Sequence, residues 1–221
     1  QIANSWAGKI GMGASYLWNR SGPLSMAPSQ FGIFTKSSAE MATPDLEYHI
    51  QPLSTDKLGE PLHPYPAVTV SVCNLRPESR GSTHISRDGP SAHPDISPRY
   101  LSANRDMDVA LCALRQARQL MTMPALKKYA PRENLPGADK IDDASLARAA
   151  GDIGTTIFHP VGTCRMGVDD AAVVDPQLRV RGVAGLRVVD ASIMPRIVSG
   201  NTATPVVMIA EKAADMILRS A

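Results

Sequence analysis

The hydrophobic pattern changes period part-way along the chain, and that change limits the folds open to it. Leu46, Tyr48 and Ile50 alternate with Glu47, His49 and Gln51, and Val68, Val70 and Val72 alternate with Thr69 and Ser71. A two-residue period sets one face of each strand on a core and turns the other to solvent or a cavity, as in antiparallel sheets. Further on, Met107, Ala110, Leu114, Ala117 and Met121 fall three and four apart, with Asp106 and Asp108 in the first turn and Pro124 as the stop. That spacing predicts an amphipathic helix. A shorter helix is predicted over 142–150, with Gly151 placed to end it. Strands first and helices after give an α+β fold, an antiparallel β-sheet flanked by helices, without the βαβ alternation of a parallel sheet.

The connections are long and rich in proline. Residues 54–66 hold three prolines and a glycine, residues 89–98 hold three prolines, and Arg76-Pro77-Glu78-Ser79-Arg80-Gly81 makes a turn that should feed a short strand at 82–85. Residues 1–30 read as a short helix followed by a loop, with Trp6, Tyr16 and Trp18 expected to form a small hydrophobic cluster.

With 221 residues, 43% of them hydrophobic, the chain can build a core of ordinary size. Its 23 basic residues against 21 acidic ones leave +2, no electrostatic reason to expect a nucleic-acid partner. No stretch approaches the roughly 20 apolar residues of a membrane span, and the first residues lack the build of a secretory signal. Cys73, Cys112 and Cys164 are far apart and without metal-site spacing, so reduced thiols and a soluble, cytoplasmic protein are the expectation. His49, His63, His84 and His93 lack the spacing of a helical metal site. Arg76 and Arg80 could recognise an acidic substrate, but their turn favours a structural role or solvent exposure. The chain starts at Gln1 in mid-pattern, which suggests a piece of a longer polypeptide.

Two stretches carry residues suited to chemistry. In Phe158-His159-Pro160-Val161-Gly162-Thr163-Cys164-Arg165-Met166-Gly167 an imidazole sits between an aromatic and a proline, followed by two glycines that let backbone approach a ligand. Pro160 restricts the backbone of His159 and hence where its ring points. From this segment alone, a base and a turn histidine satisfied by a backbone carbonyl are equally good readings. In the second stretch Leu186 and Val188 look like a strand with Asp190 at its end. Thr204-Pro205 then resembles the start of a helix burying Val206, Ile209, Ala210, Ala213 and Ile217. Its N-terminus, after Gly200-Asn201, could face an anionic or electron-rich ligand, or be ordinarily capped.

Taken in order, His159-Pro160-x-Gly162-Thr163-Cys164-Arg165-Met166-Gly167, then Val174-Asp175-Pro176, then Gly185-Leu186-Arg187-Val188-Val189-Asp190-Ala191-Ser192-Ile193-Met194-Pro195, then Gly200-Asn201-Thr202 and a last helix closely resemble the C-terminal half of the glucose/methanol/choline (GMC) flavin-dependent oxidoreductases. Gly22-Pro23-Leu24, the turn at 75–81 and Tyr100-Leu101 resemble that family's substrate-binding region. The resemblance implies that His159 is the base taking the hydroxyl proton of an alcohol while the α-hydrogen leaves as hydride to flavin N5. It implies that Asn201 hydrogen-bonds the substrate oxygen. It places Asp190 and Ala191 near the ribityl and phosphate portion of FAD, and Thr202 to Pro205 beside the isoalloxazine ring. It also implies that residues 1–165 form a substrate-binding domain and that 166–221 complete a FAD-binding domain.

The family's Gly-x-Gly-x-x-Gly turn after a first strand is missing, since Gly8, Gly11 and Gly13 have the wrong spacing. The expectation is therefore part of an FAD-dependent enzyme oxidising a primary alcohol to an aldehyde, with a missing N-terminal FAD-binding region as its partner and no tight hold on FAD by itself. The alternative is a catalytically silent binding module. A hydrolase using His159 and Ser192 lacks the nucleophile elbow.

Overall fold

A computed structural model describes residues 5–27, 29–57 and 59–219 and divides the chain into two compact units, Gln1–Cys73 and Asn74–Ala221. The architecture is α+β, with antiparallel strand pairs and five helices among the described residues.

In the first unit, helix α1 (Trp6–Asn19) starts where the Ser5 hydroxyl accepts the Gly8 N–H at 3.0 Å and ends at Arg20 in the left-handed region. No residue of α1 is buried, and Trp6 and Trp18 are 82% and 91% exposed, so the expected tryptophan cluster does not form. Strands β1 (Phe31–Thr35), β2 (Leu46–Gln51) and β3 (Thr69–Asn74) form a sheet in that order, with β1 antiparallel to β2 and Ile33 opposite Tyr48. The last residue of β3 opens the second unit. β1 lacks an alternating pattern of burial, which is why its sequence does not announce it; pairing with β2 fixes it instead.

β2 departs from its two-faced pattern. Leu46 and Tyr48 are buried as the alternation requires, but Asp45 and Glu47 on the other face are buried too. The Asp45 carboxylate accepts the Ser37 N–H at 2.7 Å and the Ser37 hydroxyl at 2.6 Å, which offsets its desolvation. Glu47 lies 3.5 Å from His49 Nε2.

In the second unit, β4 (Ser82–His84) pairs antiparallel with β5 (Asp95–Ser97), so the segment expected to be all loop carries a strand. Helix α2 (Asn104–Met121) contains every residue of the expected apolar stripe, but those residues are half-buried; Asp106, Val109, Leu111 and Ala113 are the buried ones. α2 packs on α4 (Asp143–Ile153) through Leu146, Ala149 and Ala150, with an Arg115–Asp143 ion pair linking the two. Pro124 opens the one-turn helix α3 (Pro124–Lys127) rather than merely ending α2. The stop of α4 is Gly154, not Gly151: the Gly154 N–H donates to Ala150 O at 2.9 Å, and a Cβ at Gly154 would lie 2.6 Å from that same oxygen.

The C-terminal core gathers Val174, Leu178, Ile193, Met194 and, from helix α5 (Ala203–Leu218), Ile209 and Ala213. Ala210 and Ile217 are exposed, so α5 buries a narrower stripe than its sequence suggests. Residues 186–188 form only bridge pairing, Arg179 opposite Arg187, across a reversal that carries Gly182 and Gly185 at φ +80° and +74°. Among the described residues no helix is long and apolar enough to cross a membrane.

Candidate active site

The segment carrying His159 is laid against the 190–194 turn. Cys164 and Met166 donate their N–H groups to Ser192 O and Ile193 O at 3.0 and 2.8 Å, and Gly162, at φ +91°, runs where a Cβ would sit 3.4 Å from Met194 O. Glycine is required there by its left-handed backbone. Phe158 also lies in the left-handed region, at φ +62°, immediately before His159-Pro160. A non-glycine residue held there carries local strain, and here it sets the direction from which the imidazole leaves the chain.

The ring of His159 meets two consecutive residues at the start of α5, 42 and 43 positions further on. His159 Nδ1 lies 2.7 Å from Thr202 Oγ1, and His159 Nε2 lies 3.4 Å from Asn201 Nδ2. His159 is half-buried, Asn201 is exposed, and Thr202 is 6% exposed. One nitrogen of the imidazole is therefore tied to a buried hydroxyl, while the other lies 3.4 Å from an accessible amide, so that a ligand oxygen seated beside the pair could reach both.

Thr202 is the N-cap of α5, one position before Ala203, and so the helix begins earlier than Thr204-Pro205 would suggest. Its hydroxyl makes no capping bond to the helix. It is spent on His159, which leaves the first-turn N–H groups of Ala203 and Thr204 without a side-chain cap and the positive end of α5 uncovered.

Asp190 is exposed and caps the short 3-10 turn Ala191–Ile193, its carboxylate accepting the Ser192 N–H at 2.8 Å. Ala191 and Pro205 are half-buried. The Ser192 hydroxyl is buried and, among the described residues, has no hydrogen-bond partner. An uncapped helix terminus next to the imidazole and an orphaned buried hydroxyl in the 190–194 turn fit an electron-rich cofactor that accepts hydrogen bonds, as FAD does.

Sequence reasoning named His159, Asn201 and Thr202, and the structure brings these three together. It did not foresee that the Thr202 side chain turns to His159, because a contact 43 residues apart leaves no local signal. It also missed the support behind the site. Buried Asp106, 3% exposed, accepts N–H groups from Glu78 at 2.8 Å and Ser79 at 2.7 Å and from Asn74 Nδ2 at 3.2 Å, pinning the 74–80 turn to α2. From that turn Arg76 Nε donates to Ser199 Oγ at 3.1 Å, two residues before Asn201. Arg80 donates to Pro77 O and Ser79 O, the structural role its turn favours. Among the described residues no cluster of His, Cys, Asp and Glu could hold a metal ion.

The chain belongs to the GMC oxidoreductase family, whose sequence profile matches residues 77–210. It is 40% identical over 205 residues to the alcohol dehydrogenase [acceptor] of Pseudomonas putida, a match covering 93% of this chain and 37% of that protein. It is 39% identical over 215 residues to the oxygen-dependent choline dehydrogenase of Klebsiella pneumoniae, covering 97% of this chain and 39% of that one. The chain thus spans about two fifths of the length of the curated relatives it matches. Pyridoxine 4-oxidase from Mesorbium loti superposes with a TM-score of 0.77 at 30% identity, over 85% of this chain and 37% of the oxidase. Formate oxidase shares the fold, with a TM-score of 0.88 at 24% identity over 98% of this chain and 42% of its own.

Proposed function

We propose that this chain supplies the substrate-binding part and the proton-handling residues of an FAD-dependent oxidoreductase that converts a primary alcohol to an aldehyde. The observation that carries this reading is the placement of His159 Nε2 and Asn201 Nδ2 3.4 Å apart, with the opposite ring nitrogen held by Thr202. A hydroxyl group seated alongside the two side chains, within reach of both, could give its proton to Nε2 while Asn201 donates to its oxygen. Alkoxide character then develops against a fixed donor, which lowers the barrier to loss of the α-hydrogen. FAD, when bound, supplies the two-electron acceptor for that hydrogen.

Asp190 and Ala191 would lie along the polar chain of the cofactor, and the backbone from Thr202 to Pro205, with the uncovered terminus of α5, beside its ring. Residues 1–165 then serve as the substrate-binding part and 166–221 as segments completing the FAD-binding part. The pyrophosphate-binding turn would come from a FAD-binding region outside these 221 residues, the partner this chain needs. The three cysteines, far apart in sequence and without metal-site spacing, support a reducing, cytoplasmic setting.

The test is anaerobic mixing of the whole flavin-loaded protein, FAD-binding region included, with a panel of primary alcohols. Bleaching of the flavin absorbance with stoichiometric aldehyde is the expected result. Intact, bound flavin that no primary alcohol in the panel reduces would overturn the reading in favour of a silent binding module.

A further inference from the structure

The geometry points to Thr202 as the residue that sets the tautomer of His159, holding the ring proton on Nδ1 so that Nε2 presents its lone pair to the substrate side. An imidazole can act as a base only through the nitrogen that lacks a proton, and the hydrogen bond at one nitrogen decides the state of the other. Thr202 Oγ1 is the group at Nδ1, at 2.7 Å, and it is buried.

A hydroxyl can donate or accept, so this contact alone fits either tautomer. The group at the other nitrogen separates the two. Asn201 Nδ2, a donor only, faces Nε2 at 3.4 Å, which matches a lone pair there and a proton on Nδ1. Thr202 then accepts from Nδ1–H and keeps its own O–H for a third group. When Nε2 takes a substrate proton, the ring becomes a cation with both nitrogens protonated. Its Nδ1–H is already directed at an oxygen, so no rearrangement is needed.

The fold makes Thr202 available for this task. As the N-cap of α5 its hydroxyl would ordinarily accept a first-turn N–H, yet it makes no such bond. The helix start gives up its side-chain cap and the histidine gains a fixed partner. Burial of Ile209 and Ala213 in the C-terminal core anchors the helix that carries the threonine. Thr202 is thus a positioning residue that acts through His159, an assignment that rests on His159 being the base in the proposed reaction.

The experiment uses 15N-histidine-labelled chain. In the neutral ring the two 15N shifts of His159 report which nitrogen carries the proton. The wild type is expected to show a protonated-type shift at Nδ1 and a pyridine-type shift at Nε2. Thr202→Val keeps the shape, removes the hydroxyl and costs α5 no capping bond; it should move both shifts toward the opposite tautomer. Thr202→Ser should restore the wild-type pattern, and it is the variant to rely on if the valine chain loses its folded amide spectrum. In the whole flavin-loaded protein Thr202→Val should lower kcat about ten- to a hundredfold with KM little changed.

A wild-type ring protonated on Nε2, or 15N shifts unchanged in Thr202→Val, would overturn the assignment whatever the activity. Shifts that move as expected in a protein that no alcohol reduces would uphold the tautomer control and sink the proposed reaction instead.

Discussion

Replacing Asp106 by alanine should unsettle the second unit more than any change to a surface charge, because the carboxylate is the hub on which the 74–80 turn is fixed. It accepts the backbone N–H groups of Glu78 and Ser79, at 2.8 and 2.7 Å, and the Asn74 amide at 3.2 Å. Hydrogen bonds to a charged acceptor contribute about 1.5–3 kcal/mol each, and donors left beside an alanine regain part of that from water. The expected loss is about 3 kcal/mol for Asp106→Ala, which in a chain of this length lowers Tm by roughly 6–12 °C. Asp106→Asn keeps one acceptor oxygen but turns an NH2 toward a backbone N–H donor, so it should not restore the lost stability.

Burial works to raise the pKa of this carboxyl, but the hydrogen bonds from Ser79 and Glu78 and the charge of Arg80 outweigh it and hold the group below the usual carboxylate range. With the folded pKa below the unfolded one, the stabilisation is complete above the unfolded value and is lost as pH falls through the folded one. Urea unfolding at pH 7 and at pH 3 is the assay. The variant should differ from wild type strongly at pH 7 and less at pH 3. A difference under about 0.5 kcal/mol at pH 7, or the same difference at both pH values, would refute the argument.

Gly154→Ala should destabilise by about 2 kcal/mol, since its Cβ would lie 2.6 Å from Ala150 O and the end of α4 must shift; a thermal melt matching wild type would contradict this. Burial, and then the charge of Glu47, push the Cys73 thiol up to about 11, so iodoacetamide at pH 8 should spare Cys73 in the folded chain and modify it in urea. Peptide mapping that finds it alkylated equally fast in both states would show the thiol to be open. Expressed without a FAD-binding region, the chain should not retain FAD, because no Gly-x-Gly-x-x-Gly turn is present to bind the pyrophosphate. Stoichiometric flavin carried through gel filtration would disprove that.

Where a residue's role follows from its neighbours in sequence, the sequence discloses it. Leu46 and Tyr48 are buried as their alternation requires, α2 runs where its spacing places it, and the order of motifs from His159 to Thr202 marks the family. Roles that depend on distant contacts are illegible. Asp106 reads as an ordinary first-turn acid, and only the fold shows that it binds a turn almost thirty residues upstream. Glu47 sits in the polar register of β2, yet it is buried. Gly151 and Gly154 are equally good helix stops by composition, and the close approach of Ala150 O selects the second. Thr202 and His159 are each conspicuous, but a hydrogen bond between them is a product of tertiary structure.

The most direct measurement of the central claim is the pH dependence of kcat/KM for alcohol oxidation by the whole flavin-loaded protein, with His159→Ala and Asn201→Ala beside the wild type. His159→Ala should lose at least about a hundredfold, the scale of one general base, and should lose the fall in rate toward acid, because a protonated imidazole cannot accept the alcohol proton. Asn201→Ala should be slower but keep that fall, since an amide stabilises charge without titrating. A His159→Ala protein that binds flavin and turns over at a near-normal rate with the wild-type pH profile would contradict the account and leave His159 a structural residue of a glycine-rich turn.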